Sequence, residues 1–116
     1  LLSIHRGLIS IINEFQPDCL SIEKLFFQKN SKTVIDVAKA SGVVMLAASL
    51  SNLAVFEYSP TQVKNSITGF GRAEKSQVEF MVRRILKLPD SKQPDDAFDA
   101  LAIALCHVLS QKAVIG

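Results

Sequence analysis

The sequence predicts an α/β protein in which a β-α-β unit is followed by a run of helices. Three observations carry this prediction. Two short apolar stretches, Cys19–Glu23 and residues 53–58, are too brief for helices and hold the aliphatic and aromatic residues that suit strands. Between them lie about 20 residues of helical pattern, and a crossover of that length makes the two strands parallel. After Tyr58 the apolar residues recur at helical spacing almost to the end of the chain.

Each element has its own local reason. Leu1, Ile4, Leu8, Ile11, Ile12 and Phe15 form one face of an amphipathic helix that is already under way at residue 1, and Gln16-Pro17-Asp18 stops it. The first strand follows, with Glu23 at its carboxyl end. Asn30 and Ser31 offer N-caps for a helix over residues 32–51, with Val34, Ala38, Leu46 and Leu50 among its apolar positions. The second strand covers residues 53–58. Ser59-Pro60-Thr61-Gln62 combines a capping box with a proline suited to the first helical position, so a short helix runs to about Ile67. Gly69-Phe70-Gly71 breaks the chain. Arg72-Ala73-Glu74-Lys75 then starts a helix with Val78, Met81, Ile85 and Leu88 on one face, and Arg83, Arg84 and Lys87 complement the dipole at its end. Pro89 and Pro94 bracket a polar linker. The last helix opens with Pro94 and three aspartates and is apolar at every position from Ala100 to Cys106, which predicts burial on nearly all sides.

Length and composition bound what such a chain can be. Its 116 residues make one domain, 1–116, and 48% hydrophobic with 21% charged residues is a globular balance. Thirteen Lys and Arg against eleven Asp and Glu leave a net charge of +2, too little by itself to establish a nucleic-acid partner. Cys19 and Cys106 are far apart in apolar runs and read as reduced core residues of a cytoplasmic protein. There is neither an uninterrupted apolar run of about 18 residues nor a basic start leading into a hydrophobic segment, so no membrane span or secretory peptide is indicated.

The chemistry concentrates in the acids. Asp96 and Asp99 are three residues apart on a helix and share a face. As solvated first-turn acids they would simply complement the helix dipole. If instead they are half buried about 6 Å apart, their repulsion at an effective dielectric of 20 is about 3 kcal/mol, and a hard divalent cation is the usual remedy. Glu23 supplies a third carboxylate, because sites in parallel sheets lie beyond the carboxyl ends of the strands. Glu23, Asp96 and Asp99 together would form a cage for Mg²⁺ or Mn²⁺, of the type that holds two metals for phosphodiester cleavage.

The basic and aromatic residues point the same way. Lys64 and Lys75 flank a glycine loop that contains Arg72, a pattern suited to tracking a phosphate backbone. Phe26 and Phe27 follow Glu23 in the loop beyond the strand, where one of them could stack on an unpaired base. His107, on an apolar helix, reads as a core or interface histidine.

Four segments, taken in order, resemble the bacterial Holliday-junction resolvase family, RuvC. They are Ile22-Glu23-Lys24-Leu25-Phe26, Gln62-Val63-Lys64, Gly71-Arg72-Ala73-Glu74-Lys75-Ser76-Gln77-Val78, and Asp96-Ala97-Phe98-Asp99-Ala100-Leu101-Ala102-Ile103-Ala104. The resemblance extends over essentially the whole chain. It implies a ribonuclease H-like fold and a homodimeric, Mg²⁺-dependent crossover junction endodeoxyribonuclease, a bacterial cytoplasmic enzyme that nicks four-way DNA junctions symmetrically in recombination and repair. It further implies RuvA and RuvB as branch-migration partners. By position, Glu23, Asp96 and Asp99 would be catalytic metal ligands holding two ions, with Mn²⁺ able to substitute. Lys64 and Lys75 would handle the scissile backbone and Phe26 would stack on junction bases, while Arg72 is a DNA-binding candidate from its place in the glycine loop between the two lysines.

One departure accompanies the resemblance. The family opens on a β-hairpin region whose first strand carries an Asp-Pro-Gly motif and a fourth carboxylate, and nothing in this sequence matches it. The expectation is therefore an N-terminally truncated resolvase domain that does not cleave junctions efficiently by itself. Two other readings stay open: another ribonuclease H-like nuclease acting on RNA, and a non-catalytic module that binds junctions or dimerises.

Overall fold

The computed structural model describes residues 1–25, 32–89 and 94–115. The elements run α1 (Leu2–Phe15), β1 (Cys19–Glu23), α2 (Lys32–Leu50), β2 (Ala54–Tyr58), α3 (Pro60–Thr68), α4 (Lys75–Leu86) and α5 (Asp95–Ile115). β1 and β2 pair as a parallel two-stranded sheet with α2 as the crossover, as the sequence predicts. The chain divides into two compact units, Leu1–Leu20 with Leu25–Phe56, and Ser21–Lys24 with Glu57–Gly116.

In the first unit α1 packs on α2, and the buried residues are Ile12, Ala47 and Ala48. Leu46 and Leu50, apolar positions of the expected helix, are exposed instead. The reason is that α2 is apolar around most of its circumference, so its pattern cannot select one face. By length and composition α2 would also suffice to cross a membrane. Its place between two paired strands makes it a crossover helix of an α/β unit.

The second unit holds the larger core, in which Val63 and Ile67 of α3 and Val82 of α4 join Phe98, Ala102, Leu105 and Cys106 of α5. α3 is fastened at both ends. Ser59 Oγ accepts from the Gln62 N–H at 3.1 Å, Gln62 Oε1 accepts from the Ser59 N–H at 2.7 Å, and Gly69 closes the helix at a φ of 80°. α4 starts three residues later than the sequence reading placed it, because Glu74 stands at its N-cap and donates its N–H to Gln77 Oε1 at 2.8 Å. α5 differs more. Its buried stripe is Phe98, Ala102, Leu105 and Cys106, whereas Asp96, Ala100, Ala104 and Val108 are exposed. Only the side facing α3 and α4 is covered among the described residues, so an all-apolar run acquires one buried face. Both cysteines are free thiols, Cys106 being buried and Cys19 half-buried.

Candidate functional site

The carboxyl end of β1 is held from two sides. Lys24 donates its backbone N–H to Tyr58 O at 2.8 Å, and Ser21 Oγ donates to Ile103 O of α5 at 2.9 Å. Ile103 lies one turn beyond Asp99, so the Ser21 bond brings the strand end carrying Glu23 alongside the acidic start of α5. The result is a cleft of about 280 Å³ lined by Glu23, by Val63 and Lys64 of α3, by Lys75 and Val78 of α4, and by Asp99, Ala102 and Ile103 of α5. An apolar floor thus carries two carboxylates and two ammonium groups. Four residues that lie up to 76 positions apart in the chain, Glu23, Lys64, Lys75 and Asp99, share this one cleft.

Lys75 is the electrostatic centre. Its Nζ is 3.7 Å from Asp99 Oδ1 and 3.5 Å from Asp95 Oδ2. Asp99 first and Asp95 second hold the ammonium above its ordinary pKa of 10.5, with a smaller contribution from Glu79. Lys75 opens α4, where the helix dipole disfavours a cation, while Asp95 is the first residue of α5, where an acid is favoured. Two helix N-termini therefore meet across a lysine, and the local dipoles suit an anion. All three side chains are more than half exposed, so the ion pairs orient the groups more than they stabilise the fold.

Asp96 is placed differently from its neighbours. It is exposed and does not line the cleft. On a helix of 3.6 residues per turn, Asp95 lies about 40° from Asp99 and Asp96 about 60° on the other side, so a lysine facing Asp99 reaches Asp95 and leaves Asp96 open. Because Asp96 and Asp99 are both solvent-exposed, their repulsion is screened, and the half-buried pair considered from sequence is not what forms. Among the described residues, no three His, Cys, Asp or Glu side chains stand together as a metal-holding group. Arg72 is exposed in the turn before α4 and does not line the cleft. Phe26 lies outside the described residues.

Two features escaped sequence reading. Asp95 shares Lys75 with Asp99, and the available signal was its spacing of four from Asp99. Tyr58, at the end of β2, hydrogen-bonds through its hydroxyl with His107 Nδ1, the ring centroids lying 5.8 Å apart. His107 is therefore a half-buried partner of the strand end, in keeping with its reading as a core residue.

Comparison with known proteins places these features in a family. The family model for crossover junction endodeoxyribonuclease RuvC matches residues 1–107. The chain is 50% identical over 115 residues to the crossover junction endodeoxyribonuclease RuvC of Caldicellulosiruptor saccharolyticus, covering 99% of this chain and 69% of that protein. It is 53% identical over 107 residues to the one from Ruminiclostridium cellulolyticum, covering 92% and 64%. Among solved structures, Thermus thermophilus RuvC in complex with Holliday junction substrate superposes with a TM-score of 0.87 at 35% identity, covering 96% of this chain and 67% of that one. The chain thus spans roughly two thirds of the length of the relatives it matches.

Proposed function

The chain belongs to the RuvC family of crossover junction endodeoxyribonucleases, and from that premise we propose that it forms the cleft of a nuclease that resolves Holliday junctions in recombination and repair. The observation that carries the proposal is the convergence of Glu23, Asp99, Lys64 and Lys75 on one cleft. Phosphodiester cleavage needs groups of both signs: carboxylates to hold cations, and ammonium groups to hold the phosphate and meet charge as it develops.

The donor chemistry fits a hard divalent cation. Glu23 and Asp99 offer exposed carboxylate oxygens to one cleft, and Asp96 is on the neighbouring face of the same helical turn. These three residues would hold Mg²⁺, with Mn²⁺ as a substitute; when bound, such ions supply Lewis acidity and charge neutralisation at the phosphate. Lys64 and Lys75 position the scissile backbone as point charges, and Lys75 stabilises the oxygens that gain charge. In the free protein Asp99 and Asp95 pair with the Lys75 ammonium and raise its pKa above the ordinary lysine value. Arg72 extends the cationic track along the strand, and Phe26 stacks on a junction base. The two compact units act as parts of one RuvC-type domain in the bacterial cytoplasm. A homodimer would present two such clefts for symmetric nicking, in cooperation with RuvA and RuvB.

The test is Mg²⁺-dependent nicking of a synthetic four-way junction by the protein that carries this chain, beside Glu23→Gln and Asp99→Asn. Both variants should bind the junction and nick it at least about 10²-fold more slowly, since several kcal/mol of charge stabilisation are lost. Nicking by both variants at the wild-type rate, or equal handling of junction and linear duplex, would overturn the reading.

A further inference from the structure

The turn between α3 and α4 carries a second cavity, of about 390 Å³, for which the cleft's chemistry has no use. Its walls include Thr68, Phe70, Ser76, Gln77 and Phe80. The size lies within the usual range for small-ligand sites. Phe70 is 57% exposed and Phe80 is 60% exposed. One exposed phenylalanine is ordinary, but two on the same cavity are not explained by packing.

Phe70 is also held in place. Its N–H donates to Thr68 Oγ1 at 3.1 Å, the Thr68 hydroxyl lies 2.7 Å from Lys64 O, and Phe70 O accepts from the Ala73 N–H at 3.1 Å. Gly69 on one side sits at a φ of 80°, and Gly71 on the other packs so closely that an added Cβ would stand 3.0 Å from Thr61 Cγ2. The backbone that carries the aromatic ring is thus a fixed turn, with little main-chain ordering entropy left to lose on binding. Phe80 carries a cation, the Arg84 guanidinium lying 5.9 Å from its ring centroid.

The α4 helix separates this cavity from the nuclease cleft. Lys75 and Val78 face the cleft, while Ser76, Gln77 and Phe80 face the cavity. A helix is about 10 Å across, roughly three nucleotides at about 3.4 Å per nucleotide along one strand. We infer that the cavity is a base-stacking subsite, taking an unpaired nucleobase a few nucleotides along from the phosphate held by Lys64 and Lys75. A nucleotide uses everything the cavity offers: aromatic faces for the base, hydroxyl and amide groups for its edge, and the exposed Arg84 guanidinium near Phe80 for a phosphate. A purely apolar partner would leave that cation without use. This inference rests on the nucleic-acid reading of the neighbouring cleft.

Fluorescence anisotropy with a labelled twelve-residue oligothymidylate, a four-way junction and a linear duplex tests it. The double variant Phe70→Leu with Phe80→Leu keeps the apolar surface and removes the aromatic faces. It should lose about 5- to 150-fold in affinity for the oligothymidylate and the junction, with duplex binding unchanged, whereas Phe80→Trp should bind like wild type. Wild-type affinity of the double-leucine variant for both ligands overturns the subsite alone, as does unchanged DNA binding accompanied by altered self-association, which would mark an interface between copies. Absence of junction and oligothymidylate binding by the wild-type protein would defeat the nuclease reading itself, and this inference with it.

Discussion

Replacing Phe98 by Ala should damage stability and the cleft together. Phe98 stands in the first turn of α5 between Asp96 and Asp99, is 3% exposed, and has the Arg83 guanidinium 4.6 Å from its ring centroid. Truncating a buried Phe costs about 3–5 kcal/mol, to which the aromatic–cation contact contributes about 0.5–1 kcal/mol. Set against a typical domain stability of about 5–15 kcal/mol, that is a large fraction, and at about 3–6 °C per kcal/mol it lowers Tm by at least about 10 °C. Phe98→Leu retains most of the volume and should cost about 1–2 kcal/mol. The assay is urea and thermal unfolding of the wild type, both Phe98 variants, Arg83→Gln and the Phe98→Leu/Arg83→Gln double variant. The cycle isolates the ring–guanidinium coupling from the bond that Arg83 Nη1 donates to Pro89 O at 3.2 Å. A cost below about 1 kcal/mol for Phe98→Ala would refute the claim that this ring anchors the acidic turn.

Two further outcomes are expected. Lys75 has its pKa raised by Asp99 and then Asp95, so any stability from the pairing is fully present below its ordinary value of 10.5 and is lost as pH rises through the higher folded-state value. Asp99→Asn should bring the Lys75 titration, followed by the ¹³Cε chemical shift, down toward the ordinary lysine value; an unmoved titration would show that Asp99 is not the chief cause. Gly69, at a φ of 80°, should tolerate Asn better than Ala, with Gly69→Ala costing about 1–2 kcal/mol in urea unfolding. Equal stability of the Ala and Asn variants would show that the turn relaxes when the glycine is lost.

Much of the fold was legible because its signals are local. The capping box at Ser59, the glycine break after α3, the prolines, and the strand–helix–strand lengths depend on neighbouring residues, and the corresponding elements formed within a few residues of expectation. Which face of a helix is buried was less legible: on the amphipathic α1, which packs on α2, Ile12 is buried as expected while Leu1, Ile4, Ile11 and Phe15 of the same apolar face are exposed. α2 and α5 are apolar on most sides, and there Leu46, Leu50 and Val108 proved exposed while Ala47, Ala48 and Cys106 were covered. Sequence order also pointed to the family, through four short segments that all lie within residues 1–107, the range the family model matches.

Assembly of the cleft needed the tertiary structure. The sequence by itself determined that Glu23 ends a strand, that Lys64 and Lys75 flank a glycine turn, and that aspartates open the last helix, because each follows from covalent order and backbone preference. Only the folded chain decided that Glu23 and Asp99 line one cleft with both lysines, and that Lys75 takes Asp95 as its second partner while Asp96 stays outside. The physical reason is that spacing along a helix gives relative angles but no absolute direction. That direction was set by the burial of Phe98, Ala102 and Cys106 against α3 and α4 and by the Ser21–Ile103 hydrogen bond, contacts between residues up to 82 positions apart.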